Sequence, residues 1–210
     1  MSRSTSGSPD SRINVGDRDG ITPLHKAAYA GNVRVMEALI RIGADVRVGD
    51  ENGKNALHYA ADGGHIEAID TLIRAGADLM GGDSHGKNPL HYAAASGKAE
   101  AVEFLISLGS DISVGDKNGK NPLHYAAESG KVVAIKALID AGADIMVGDS
   151  IGQNALHYAA SGDENVMNAL LGISTETDDL AAAGGGGAGG AAGPDADLAG
   201  ALASADADHL

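Results

Sequence analysis

One phrase of the sequence returns at a fixed interval, and that interval limits what the chain can become. Gly86 to Ala94 reads GKNPLHYAA, and the same nine letters return at Gly119 to Ala127. Near copies, GKNALHYAA and GQNALHYAA, occupy Gly53 to Ala61 and Gly152 to Ala160. Asp17, Asp50, Asp83, Asp116 and Asp149 open five units, thirty-three positions apart throughout. Self-similarity at that period marks a stack of small units rather than one closed core.

The physics of one unit is legible in its letters. Thr22, Asn55, Asn88, Asn121 and Asn154 stand where a helix must start, with a short polar side chain able to accept from an unpaired first-turn N–H. Pro23, Pro89 and Pro122 follow at the first helical position, where a missing N–H costs nothing. Gly31 and its equivalents Gly64, Gly97, Gly130 and Gly162 are expected to end this helix in a left-handed cap. A second helix follows, with Ile69, Leu72 and Ile73, or Val102, Leu105 and Ile106, at the spacing of one buried face. Gly43, Gly76, Gly109 and Gly142 close it, and a Gly-Asp-x-x-Gly segment has turn chemistry. Such a unit cannot bury its apolar face alone, so neighbours must cover it. The Ala pairs, from Ala27-Ala28 to Ala159-Ala160, let adjacent helices approach closely.

The pattern Asp-x-x-Gly-x-Thr-Pro-Leu-His-x-Ala-Ala, closed by Gly-Ala-Asp, resembles the ankyrin repeat, and Asp17–Ala28 (DRDGITPLHKAA) matches it letter for letter. The resemblance runs from Ile13 to Ile173. It implies an all-α fold, an ankyrin-repeat solenoid of stacked helix–turn–helix units with β-turn loops. The expected organisation is a disordered segment over 1–12, a repeat domain over 13–173 and a disordered acidic tail over 174–210. The units fall near 17–49, 50–82, 83–115, 116–148 and 149–173. Ile13-Asn14-Val15-Gly16 resembles the closing strand of a preceding unit. Three departures stand out. Asn replaces the family's Thr in four units. Gly16, Gly49, Gly82, Gly115 and Gly148 stand where the family carries a longer polar residue, which removes five side chains from the loops. The fifth unit lacks one residue at Ala160-Ser161-Gly162, and its second helix, more polar and ending at Leu171-Gly172, reads as a terminal cap.

Composition then excludes whole classes of function. No cysteine occurs, so disulfides, thiolate metal sites and a Cys nucleophile are out. The formal net charge of −14 argues against a nucleic-acid or membrane-surface partner. Half of it, seven units, falls after Ser174 in a run of Ala, Gly and Asp without Lys or Arg, too poor in apolar surface to order itself. Met1 to Pro9 is polar, with no apolar segment behind it, so neither a signal peptide nor a transmembrane helix is expected.

Three side-chain rows recur with the period. His25, His58, His91, His124 and His157 stand one per unit. Units stacked about 10 Å apart cannot bring two such imidazoles to one zinc at about 2 Å. The family resemblance instead implies a bond from each His to the backbone of the adjacent loop. No metal and no cofactor is expected. Tyr59, Tyr92, Tyr125 and Tyr158 read as an edgewise packing ladder with hydroxyls at the surface. Lys54, Lys87 and Lys120 follow the turn glycines, with Lys117 nearby, and form the one repeated positive feature. No nucleophile, zinc or phosphate-loop motif occurs. The repeated carboxylates sit in near-identical turns where catalysis would need one special constellation. No catalytic residue is assigned, and the chain reads as no enzyme.

The resemblance implies a module that binds another protein through loop tips and a concave helix face. The contact positions are those that vary between units: Arg18, Asp19, Ile21 and Tyr29; Glu51, Asn52, Lys54 and Asp62; Ser84, His85, Lys87 and Ser96; Lys117, Asn118, Lys120, Glu128 and Ser129; Ile151 and Gln153. The partner expected is a protein with an acidic segment facing the lysine strip, met by a monomer in the cytoplasm. The alternative is a regulatory or effector protein, an inhibitory or targeting subunit whose acidic tail is a localisation or secretion signal. Besides the cytoplasm, the nucleus is an alternative location, as is a host cell if the chain is a bacterial effector.

Overall fold

The computed structural model describes residues 10–160 and 162–173. The expectations for 1–9 and 174–210 lie outside the described residues. Eleven helices occur among those described. A short α1 (Asp10–Ile13) precedes five pairs: α2 (Pro23–Tyr29) with α3 (Val33–Arg41), α4 (Ala56–Gly63) with α5 (Ile66–Arg74), and α6 (Pro89–Ala95) with α7 (Ala99–Ser107). The last two are α8 (Pro122–Glu128) with α9 (Val132–Asp140), and α10 (Ala155–Ala159) with α11 (Glu164–Leu171). None is long and apolar enough to cross a membrane.

First helices pack on first helices, α2 on α4, α4 on α6, α6 on α8 and α8 on α10, while each second helix backs its own partner. The reason lies in small side chains. Ala27, Ala28, Ala60, Ala61, Ala93, Ala94, Ala126 and Ala127 are all buried. Leu24, Leu57, Leu90 and Leu123 fill equivalent places between units and are at most 2 % exposed. Met36, Ile69, Val102 and Ile135 do the same for the second helices. Burying each such side chain is worth about 1.5–3 kcal/mol, so the stack is held by one apolar cluster running through it.

The Asn replacements keep the helix starts intact. Asn88 Oδ1 accepts from His91 N at 3.2 Å, and the backbone N–H of Asn88 donates to His91 Nδ1 at 3.2 Å. Thr22 and His25 make the same reciprocal pair in the first unit. This is a capping box with His in the place usually taken by Glu or Gln.

Three expectations are corrected. Gly31, Gly64, Gly97 and Gly130 have positive φ, but Gly162 does not. With one residue fewer, α10 is only five residues long, Asp163 caps α11, and Gly162 N–H bonds Ala159 O at 2.9 Å. Ile13–Gly16 is no strand. Among the described residues, helix α1 ends at Ile13, and Asn14 then bonds the first unit's closing turn, donating to Gly43 O and accepting from Asp45 N. Gly115 and its equivalents have not simply lost a side chain. A Cβ on Gly115 would come within 2.9 Å of the Gly119 backbone, so the two sides of the turn touch where a longer residue would stand.

Candidate functional site

Four of the five repeated His are consumed by the framework. His58, His91 and His124 place Nε2 at 2.9, 3.0 and 3.0 Å from the carbonyls of Lys87, Lys120 and Gln153 in the following unit. His25 departs, reaching Val48 O at 2.8 Å. A carbonyl only accepts, so Nε2 carries the proton and Nδ1 is left to accept from the cap N–H. Burial lowers the pKa of all four against the pull of that carbonyl, and takes His91 to about 4. These rings are neutral struts, three of them between units, with no lone pair left for a metal. No group of three or more potential metal ligands occurs among the described residues.

The Tyr row corrects the sequence reading. The hydroxyls are not left at the surface: Tyr59, Tyr92, Tyr125 and Tyr158 donate to the opening Asp of their own unit, Asp50, Asp83, Asp116 and Asp149, at 2.6–2.7 Å. Nor do the rings mainly meet each other. Each lies against the His of the unit before, stacked for His25–Tyr59 and edge-on for the other three. Burial and the Asp carboxylate raise the Tyr92 pKa. Burial opposes ionisation of Asp83, but the Tyr92 hydroxyl and the N–H groups of Lys87 and His85 hold its pKa below the usual carboxylate range. Where Tyr is absent, Lys26 takes its place and its ammonium meets Asp17 at 2.9 Å.

The lysine strip threads between these rings. Lys54 Nζ lies 4.5 and 4.3 Å from the centroids of Tyr59 and Tyr92, Lys87 lies 5.1 and 5.5 Å from Tyr92 and Tyr125, and Lys120 lies 5.5 and 4.3 Å from Tyr125 and Tyr158. Each contact is worth about 0.5–2 kcal/mol, depending on how dry it is. Lys54 also faces Asp62 at 3.9 Å, and Lys120 is bound by Glu128 at 3.0 Å. Burial alone would lower the Lys120 pKa, but Glu128 and Tyr158 together outweigh it and hold it above the ordinary value.

The variable loop residues lie at the surface. Arg18, Asp19, Glu51, Asn52, Ser84, His85, Lys117, Asn118 and Ile151 are exposed, and Ile151 is 77 % so. Their backbones are not free. Glu51 N–H donates to Asp19 O at 3.1 Å, Ser84 N–H to Asn52 O at 2.8 Å, Lys117 N–H to His85 O at 2.9 Å and Ser150 N–H to Asn118 O at 2.9 Å. One backbone bond therefore ties every tip to the next, and the row presents its side chains from a fixed edge. Lys117 also reaches back to Ser84 O. Ile21 lies half-buried and Gln153 exposed at the foot of this edge.

Tyr29, Asp62, Ser96, Glu128 and Ser129 gather instead at the far ends of the first helices. Tyr29 is 54 % exposed and meets the Tyr59 ring edge-on, and Ser96 Oγ donates to Asp62. A groove of about 620 Å³ opens there, lined by Tyr29, Asp62, His65, Ala95, Ser96, Lys98 and Lys131 among others. The sequence reading passed over His65, Lys98 and Lys131 as site residues, yet they too recur with the period. Each lies across the left-handed glycine of the preceding unit, so that a Cβ on Gly64 would meet Lys98 at 2.7 Å and one on Gly97 would meet Lys131 at 2.9 Å. The missing side chain of the cap glycine is the space the long Lys stem fills.

A family model described as ankyrin repeats (3 copies) matches the chain over residues 7–83, 43–116 and 90–179. No curated protein matches it.

Proposed function

The chain belongs to the ankyrin-repeat family, whose members are generally protein–protein interaction modules, and on that premise we propose that it is a non-enzymatic module binding one partner protein along the loop tips and the adjoining first-helix face. The observation that carries this reading is the division of labour between positions. The recurring Asp, Asn, His and Tyr groups bond one another and the framework backbone, and the loop-tip residues that differ between units are exposed on a backbone-bonded edge. Recognition placed on variable tips of a rigid scaffold loses little entropy on binding.

The test is affinity capture with the full chain beside two variants. Arg18→Glu/Asn52→Arg/Asn118→Arg changes only exposed tips, where substitution alters stability by about 0.5 kcal/mol or less. Arg41→Glu/Glu103→Arg changes the second helices. The expected result is a discrete partner held by the wild type and the second-helix variant and lost from the tip variant. A partner retained by the tip variant overturns the placement.

A further inference from the structure

The lysine strip has a gap in its charge balance at the middle unit. Positions 62, 95 and 128 are equivalent, one per unit, and read Asp62, Ala95 and Glu128. In the second and fourth units that carboxylate reaches back along its helix to the lysine eight residues earlier, as the Lys54–Asp62 and Lys120–Glu128 pairs. In the third unit Ala95 has nothing to offer Lys87, which has ring contacts but no ion pair among the described residues. Lys98 and Lys131 likewise have no ion pair among the described residues, and with Ala95 they line the groove of about 620 Å³. The one carboxylate in that groove is committed, since Asp62 accepts from Ser96 and faces Lys54. Its remaining charge is cationic, on a chain of formal net charge −14.

We propose that a carboxylate side chain of the partner protein, carried on an extended acidic segment, seats over Ala95 and supplies the counter-ion that Lys87 lacks, with Lys98 and Lys131 flanking it. This rests on the protein-binding reading above and names the chemistry of one contact within it. The half-buried Lys87 ammonium makes the contact selective. A cation already between two rings loses less hydration on pairing than a fully solvated one, and it gains more from a carboxylate there than an exposed lysine gains. The repeat also fixes the geometry, because Glu128 shows that a carboxylate at this position reaches its lysine at 3.0 Å.

The probe is a fluorescein-labelled peptide, Gly-Glu-Gly-Glu-Gly-Glu-Gly, titrated by anisotropy at low salt beside its Gln counterpart. The full chain is expected to bind the Glu peptide at least ten-fold more tightly than the Gln peptide. Ala95→Glu, which builds the missing counter-ion into the chain, should weaken the Glu peptide at least ten-fold, while Ala95→Gln, of the same size, leaves it within three-fold. Lys87→Met should cost as much as Ala95→Glu. Arg74→Met, an equal loss of charge elsewhere, should leave affinity within two-fold, and thermal melts confirm that each variant is folded. Equal effects of Glu and Gln at Ala95, indifference to Lys87→Met, or no binding by the wild type overturns the proposal. None of these outcomes touches the loop-tip reading, which stands or falls on the capture experiment.

Discussion

The third unit and the fifth are written in almost the same letters, GKNPLHYAA and GQNALHYAA, and the structure treats them differently. Within each unit the same bonds form: Asn88 and Asn154 cap their helices, and Tyr92 and Tyr158 both donate to their opening Asp at 2.6 Å. Between units the likeness ends. His91 is 1 % exposed with Nε2 on Lys120 O, whereas His157 is exposed and its Nε2 has no hydrogen bond among the described residues. Ala94 is fully buried and Ala160 exposed, Leu90 fully buried and Leu156 only partly so. Tyr92 has a lysine on either side, and Tyr158 has Lys120 alone because Gln153 stands where the next lysine would be. The phrase specifies the bonds inside a unit, and the following unit decides whether the rest of it is core or surface.

That contrast is open to attack at several strengths. The largest effect is expected from Leu90→Ala, which should cost about 4 kcal/mol, against about 1.5 kcal/mol for Leu156→Ala, by urea unfolding. Equal losses would mean that the fifth unit is as fully covered as the third. His91→Ala should cost about 3 kcal/mol, since it strands a cap N–H and a carbonyl, whereas His157→Ala should cost under 1 kcal/mol.

Acid should probe the interior through its neutral imidazoles. The folded pKa of His91, about 4, lies below its unfolded value of about 6.5, so the unfolded chain binds more protons between them. The stabilisation is complete above about pH 6.5 and is lost as pH falls towards 4, at up to about 1.4 kcal/mol per pH unit for this one group. His25, His58 and His124 shift in the same direction. The slope should shrink in His91→Gln, and an unchanged slope would assign the acid sensitivity to carboxylates. The smallest expected difference is Tyr92→Phe, at about 1.5 kcal/mol, against Tyr158→Phe, at about 0.5 kcal/mol, because both lose a bond to Asp but Asp83 is buried and Asp149 only partly so.

Much of the fold was legible because it is local. A cap Asn or Thr, a first-turn Pro and a glycine after each helix are short-range signals, and the helices start and stop beside them. Gly162 escaped because one deleted residue changes the route of the chain without changing the letter. The site was less legible. The Tyr–Asp bond spans nine residues across a loop and a helix start, a reach no periodicity records. A clue did lie in the first unit, where Lys26 replaces Tyr and still meets Asp17. The lysines read only as a repeated positive strip because sequence shows their spacing but not the rings on either side. Lys98 and Lys131 were passed over because their place depends on the vacancy left by a glycine one unit away.

The backbone bonds between loop tips all run one way, each tip giving its N–H to the carbonyl of the tip before it. Because every junction uses the same two atoms, a gene that loses or duplicates a whole thirty-three-residue segment rejoins donor to acceptor with nothing mismatched at the seam. Excision of 83–115 would leave Lys117 facing the Asn52 carbonyl in place of that of His85. Such a binding edge can be shortened, lengthened or reshuffled by recombination alone, with fresh side chains arriving on an unbroken rail.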